Sequence, residues 1–277
     1  VHTILARQQI CPNAIRLDVW APRLAKIQRP GQFAIVHLAD AFDRVPLTIA
    51  DASSAAGSIA FVFQSTGEGM RSLLALKPGE AIRGIAGPLG NPTEIVSSGR
   101  ALCISSDLGA AVMHPIAREL HHRGVHVTNL VGGASSEWII FSRELQMAGE
   151  LAIVTQDGSR GRKGTVIDAA CQRLAHGGFD IVYAAGPVPT LRAVAHLTRL
   201  FGVRTIISLN PVMLDVAGVC AGCPVRVGRE NRFACVDGPE FDAHLVNFDE
   251  LADRVATQRR QHNSHAEEHC RAERSAG

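Results

Sequence analysis

The chain has 277 residues, enough for one large domain or two of ordinary size, and its 46% apolar and 19% charged residues are those of a globular protein. A formal net charge of +2 gives no reason to expect nucleic acid or an anionic membrane surface as partner, and no apolar run approaches the roughly 18 residues of a membrane span. No signal-peptide pattern opens the sequence, and its seven scattered cysteines read as a reduced thiol set rather than a disulfide framework, so a cytoplasmic protein is expected.

Residues 1–98 read as β-structure: "HTILARQQI", "AIRLDVWAP", "GQFAIVHLA", "VPLTIAD" and "SIAFVFQST" alternate and are broken by Pro-Asn, Pro-Gly and Ala-Gly turns. One helix candidate, "GEGMRSLLAL", precedes the turn "KPGE", and a further strand leads into "GPLGNP". About six strands and one short helix predict a small antiparallel β-barrel.

From residue 99 to 210 the rhythm changes. Strands at "ALCIS", "VHVTNLVGG", "ELAIVTQDG", "FDIVYAAGP" and "VRTIISLNP" alternate with helices at "AAVMHPIARELHHRG", "SSEWIIFSRELQMAG", "GTVIDAACQRLAHGG" and "PTLRAVAHLTRLFG", Ser136 being a candidate N-cap of the second helix. This predicts βαβ crossovers and a five-stranded, doubly wound parallel sheet whose ligand sits at the C-terminal strand ends. Residues 211–250 form a cysteine-rich segment, and 251–277 read as a polar, disordered tail with His262, His265, His269 and Cys270.

Two stretches of the barrel suggest a flavin. In "DRVPLTIAD", Arg44, Pro46 and Thr48 fall two residues apart, on one face of a strand. A guanidinium can fork onto a diphosphate, and the hydroxyl and strand backbone can bond a flavin ring. In "STGEGMRSL", Gly67 and Gly69 precede a helix start suited to a pyrophosphate. Each stretch alone also reads as a surface Arg on an edge strand and an ordinary turn.

Cys220, Cys223 and Cys235 give C-x2-C-x11-C, one short of four metal ligands. Structural zinc, [2Fe–2S], a redox dithiol and chance proximity are the alternatives. A thioredoxin-like CxxC opens a helix, whereas Pro224 and a strand pattern follow here. Zinc would want a fourth Cys or His, and the nearest His, nine residues past Cys235, is His244.

The stretches "RPGQF", "RVPLTIAD", "GPLGNP", "DGSRGRKG", "SLNPVMLD", "CAGCPVRVG" and "FACVDGPEFDAHLVNFDEL" span most of the chain. They resemble the ferredoxin–NADP reductase superfamily, and within it the small electron-transfer subunits of NADH-dependent ferredoxin:NADP oxidoreductase, also called sulfide dehydrogenase. The dihydroorotate dehydrogenase electron-transfer subunits are the sister group. The resemblance implies FAD contacts at Arg44, Pro46, Leu47, Thr48 and Ala50, with Gly69, Met70 and Arg71 at its phosphates. Met70 stands where the family usually has Thr or Ser.

The resemblance also implies NAD(P)H, but the family's G-G-G-x-G-x-A-P run reads "SSDLGAAV" here, keeping Gly109 and Ala111 and placing Ser105, Ser106 and Asp107 at the glycines. Asp107 would repel a pyrophosphate or cap the following helix. Asp157 and Gly158 in a turn with Arg160, Arg162 and Lys163, and Gly186 and Pro187 at a strand end, keep the other half of that site. Skipping the four residues 216–219 before Cys220, as in the family's C-x4-C-x2-C, gives Asp215, so the implied [2Fe–2S] ligands are Asp215, Cys220, Cys223 and Cys235.

The expected function is an oxidoreductase subunit passing electrons between NAD(P)H, FAD and [2Fe–2S] and a larger partner subunit carrying FAD and iron–sulfur clusters. No catalytic side chain is expected. The alternatives are an electron conduit that has lost NAD(P) and a zinc-stapled interaction module without redox function.

Overall fold

The computed structural model describes residues 2–38, 44–64, 73–209 and 223–257. Alternation in the N-terminal part produces seven strands: β1 (His2–Cys11), β2 (Ala14–Trp20), β3 (Phe33–His37), β4 (Arg44–Ser53), β5 (Ser58–Gln64), β6 (Ala81–Ile82) and β7 (Gly84–Leu89). They pair antiparallel in the order β6-β1-β2-β5-β4-β3-β7, a partly closed barrel filled by Ile4, Leu17, Val19, Val36, Leu47, Ile49, Phe61 and Phe63. One element escapes the sequence pattern: helix α1 (Pro22–Ile27). It starts on a proline that has no N–H to leave unpaired at a first helical turn, and it buries Leu24 and Ala25.

The second half forms β8 (Arg100–Ser106), α2 (Gly109–His122), β9 (His126–Gly133), α3 (Ser142–Met147), β10 (Glu150–Thr155), β11 (Arg162–Lys163), α4 (Val166–Ala175), β12 (Ile181–Ala185), α5 (Val188–Leu200) and β13 (Arg204–Ser208). After these come the β14 (Pro224–Val227) and β15 (Glu230–Phe233) hairpin and β16 (Glu240–Asp242). The sheet order is β11-β10-β9-β8-β12-β13-β16. The five expected strands are parallel, and the sheet grows to seven by a short parallel edge at β11 and an antiparallel edge at β16. The strand order reverses between β8 and β12, the topological switch point.

Two expected elements differ. The helix foreseen over 135–149 breaks into a 3-10 turn (Ser136–Trp138) and α3, and Ser136 is inside the turn rather than capping it. Burial forces the break: Ile139, Ile140 and Phe141 all enter the core, and Phe141 takes a left-handed φ of 55° to do so. The second difference is at the C-terminus. Residues 248–257 form a helix, α6, with Phe248 and Leu251 in the core, so the polar tail does not begin at 251. The His-rich stretch 258–277 lies outside the described residues.

The barrel and the sheet share a packed junction. Cys11, Ala14, Ala50 and Val62 of the barrel join Ala110, Ala111 and Met113 of α2 in one buried cluster. Across it Arg118 of α2 reaches Asp51 at 2.6 Å, and Arg16 of β2 approaches the same carboxylate at 3.4 Å. No helix among the described residues is long and apolar enough to cross a membrane.

Candidate functional site

Strand β4 carries the first set of candidate residues. It pairs with β3 over Arg44–Thr48, but β5 joins its other side only from Ile49 on. Among the described residues, no strand pairs with Arg44–Thr48 on that open side. This is why Pro46, which has no N–H to donate, is tolerated here. Arg44 is exposed, Pro46 and Thr48 are half-buried, and alternation sends Leu47 into the barrel core. An open strand edge with a guanidinium, a ring and a hydroxyl on one face offers the donor chemistry that a diphosphate and a flavin ring accept. Leu47 can then contribute only its backbone.

A bulge between Ile49 and Asp51 turns Ala50 to the sheet side of the barrel. There His114 Nδ1 lies 3.1 Å from the Ala50 carbonyl, and the His114 ring stacks on Phe141 at 5.2 Å. Burial pulls His114 below the usual imidazole range. Burial also opposes the charge of Asp51, but the Arg118 guanidinium, with His114 and Arg16, outweighs it and holds that carboxyl below its ordinary value. Asp51, His114 and Arg118, none of them singled out from the sequence, thus fix the far end of the candidate flavin strand against α2. Gly67, Gly69, Met70 and Arg71 lie outside the described residues.

At the switch point the ends of β8 and β12 pack closely. Gly186 is buried, and a β-carbon there would stand 2.5 Å from Ser106 Oγ, so the serine hydroxyl occupies the space over the glycine. Gly109 is likewise buried, its Cα against the Ala185 carbonyl. Asp107 takes a left-handed φ of 51°, and burial pushes its carboxyl above the usual range. It does not cap α2, whose N-cap is Leu108 with no side-chain bond. A partly desolvated carboxyl at this turn, with a serine side chain against Gly186, disfavours the pyrophosphate of a dinucleotide. Pro187 is exposed at the start of α5.

The turn after β10 is open but self-contained. Asp157 accepts from Ser159 N at 2.9 Å and Ser159 Oγ at 2.7 Å, and those bonds lower its pKa. Gly158 supplies the positive φ of 81°. Arg160 bonds Ser142 Oγ at 3.0 Å, and Arg162 bonds Gln172, so two of the three basic side chains are already engaged.

The hairpin resolves the eleven-residue gap in the cysteine pattern. Pro224 is the cross-strand partner of Phe233, and Ala234 N–H bonds the Cys223 carbonyl at 2.8 Å. Cys223 and Cys235 therefore stand one residue out of register at the open end of one hairpin. Cys223 is buried in the α5-side core, and Cys235 packs at its edge. Both residues thus come to one end of the hairpin, and thiolates are the donors that hold an iron–sulfur cluster. Asp215 and Cys220 lie outside the described residues, within which no group of three metal-ligating side chains assembles. His244 is committed elsewhere: its Nε2 lies 3.0 Å from Thr198 Oγ1 on α5.

Residues 210–247 match the family model described as the iron-sulfur cluster binding domain of dihydroorotate dehydrogenase B. The dihydroorotate dehydrogenase B (NAD(+)) electron transfer subunit homolog of Thermotoga maritima is 36% identical over 94% of this chain and 93% of its own length. The chain belongs to this family. A member from Geobacillus thermodenitrificans, a dihydroorotate dehydrogenase B (NAD(+)) electron transfer subunit, is 31% identical over 88% of this chain and 96% of its own. In three dimensions this chain resembles a chain of the NADH-dependent reduced ferredoxin-NADP oxidoreductase structure. The TM-score is 0.87, with 34% identity over 98% of both chains. Like the electron-transfer subunits it is related to, this chain is an oxidoreductase-family subunit.

Proposed function

We propose that the chain is an electron-transfer flavoprotein subunit. In this reading residues 1–98 hold FAD, 99–210 are the NAD(P)-type sheet, and 211–250 bind [2Fe–2S] through Asp215, Cys220, Cys223 and Cys235. The observation that carries it is the hairpin that brings Cys223 and Cys235 to one end, inside the stretch that matches the iron–sulfur family model. Such groups supply the redox chemistry: the flavin exchanges a hydride pair for single electrons, and the cluster carries one electron at a time.

The residues of the chain bind and orient. In this reading Arg44 neutralises a diphosphate, and Pro46 and Thr48 face and bond a ring along the open β4 edge. The Asp51–Arg118 pair and His114 hold that strand against α2. Asp215 replaces one thiolate by a harder oxygen donor, which shifts the electronics of the iron it binds. The partner in this reading is a larger oxidoreductase subunit with its own FAD and iron–sulfur clusters, in the reducing cytoplasm. Visible absorbance and iron analysis of protein purified without oxygen test the reading. Flavin bands and two iron atoms per chain are expected, and colourless, iron-free protein overturns it.

A second reading keeps FAD and the cluster and drops NAD(P). The Ser106 hydroxyl over Gly186 and the desolvated Asp107 carboxyl favour it. The chain is then a conduit inside a larger complex. Anaerobic titration with NADH and NADPH separates the two readings, because flavin bleaching occurs only if the sheet still binds nucleotide.

A further inference from the structure

Beyond these sites, Glu240 is a buried carboxyl where three parts of the chain meet. Thr93 Oγ1, on the segment leaving the barrel, donates to Glu240 Oε1 at 2.9 Å. Gly31, in the turn before β3, would bring a β-carbon within 3.2 Å of that same oxygen, so the turn lies directly on the carboxyl. The third part is the turn after Cys235. Asn91 donates through its backbone N–H to the Gly238 carbonyl at 2.7 Å and through its side chain to the Asp237 carbonyl at 2.9 Å. Gly238 itself packs on the Ala234 carbonyl, where a β-carbon would come to 2.8 Å. Glu240 therefore sits two residues from a glycine that touches the cysteine hairpin.

The second oxygen, Oε2, is buried without a hydrogen-bond partner, as is the hydroxyl of Ser208, the cross-strand neighbour on β13. The charged groups around it are spoken for. Arg204 grips Glu94 at 2.7 Å, Asp242 accepts from His244 N at 2.8 Å, and Asp237 accepts from Phe233 N at 2.7 Å. Tyr183 on β12 donates its hydroxyl to the Glu94 carbonyl at 2.7 Å, and burial raises that phenol too. Among the described residues no cation pairs with Glu240. Desolvation, opposed only by the Thr93 bond, pushes it up to about 8.

We propose that Glu240 is a redox-linked proton site, binding one proton when the cysteine-held centre of this chain gains one electron and releasing it when the electron leaves. The proposal rests on reading Cys223 and Cys235 as cluster ligands. The balance holds where the carboxyl is ionised before reduction: one electron arrives from a reduced flavin donor, one solvent proton joins the Glu240 carboxylate, and no other bond changes. An added negative charge in a poorly solvated region raises the proton affinity of an unpaired carboxylate nearby. By linkage, the bound proton raises the electron affinity of the centre to the same degree.

The test uses the intact, cofactor-loaded chain. The reduced-cluster paramagnetic signal is titrated against potential between about pH 6.5 and 9.5, for the wild type and for Glu240→Gln, whose amide oxygen can still accept from Thr93. The wild-type potential is expected to fall as pH rises past about 8, and the variant's to stay level. Equal profiles in the two proteins, or a level wild-type profile, overturn the assignment while leaving the cluster in place. Absence of any cluster signal in the wild type removes the functional reading and this proposal with it. Should the variant fail to fold, a reduced-minus-oxidised infrared difference spectrum of the wild type near pH 9 decides. A protonated-carboxyl band is expected there, and its absence is the overturning result.

Discussion

Ser106 stands over Gly186 at the switch point of the parallel sheet, its hydroxyl 2.5 Å from where a β-carbon on that glycine would be. A hydroxyl therefore lies against the strand end where a dinucleotide approaches such a sheet, next to the partly desolvated Asp107 carboxyl. Replacing both by glycine (Ser106→Gly with Asp107→Gly) takes the hydroxyl away from Gly186 and removes a charge that repels phosphate. Relief of about 1 kcal/mol or more corresponds to at least about a fivefold gain in affinity for NADH or NADPH. Isothermal calorimetry on the wild type and the double variant checks it, and unchanged or weaker binding contradicts it.

The open edge of β4 sets the expectation for flavin. Arg44→Ala removes a charge-assisted contact worth about 2 kcal/mol, a loss of roughly 30-fold in FAD affinity, read from flavin retained after dialysis. Thr48→Ala is expected to cost less, because a single neutral hydrogen bond is worth about 1 kcal/mol. Leu47→Ala acts differently. Its side chain is in the barrel core, so that variant loses about 2–5 kcal/mol of stability first. Thermal unfolding of the flavin-free protein separates the two effects.

For the cluster, Asp215→Ala is expected to lose or destabilise iron while keeping FAD. Asp215→Cys restores a four-thiolate set and keeps the cluster with an altered spectrum. Iron-to-flavin ratios and visible spectra of the two variants report this. An unchanged cluster spectrum in Asp215→Ala refutes the ligand assignment.

The barrel–sheet junction should weaken in acid. His114 has a folded-state pKa below its unfolded value, so unfolding takes up a proton, and the stability it contributes is lost as pH falls below about 6.5. Asp51 is also lowered, so its contribution, present above the ordinary carboxylate range, is lost as pH falls through its folded pKa. Both push the same way. The melting temperature is expected to drop from pH 7 to pH 5, and His114→Gln to flatten that drop; a variant profile parallel to the wild type counts against the junction.

Much of this fold was legible because its elements carry their own local signals. Period-2 alternation marked β1 to β5, and the switch to strand–helix alternation marked the parallel sheet. Thr165 and Asp168 even form the reciprocal capping box at the start of α4. The cysteine spacing marks residues 220–235, which lie within the stretch that matches the iron–sulfur family model. Local signal failed where tertiary packing decides. The helix over 135–149 has the right composition, yet three consecutive apolar residues are pulled inward at Ile139–Phe141, which no continuous helix face allows. Phe248 and Leu251, too few to read as a periodic face, nonetheless dock α6 onto the α5-side core.

The sequence by itself determined the class of fold, the family likeness, the Arg44–Thr48 face and the three thiols, since each depends on residue type and on spacing along one element. Only the tertiary structure decided which groups are desolvated. It put the Ser106 hydroxyl over Gly186, set Asp51 between Arg118 and Arg16, and closed Thr93 and Gly31 over Glu240. Those partners lie far apart in the chain, and the burial that shifts a carboxyl exists only once distant segments exclude water together.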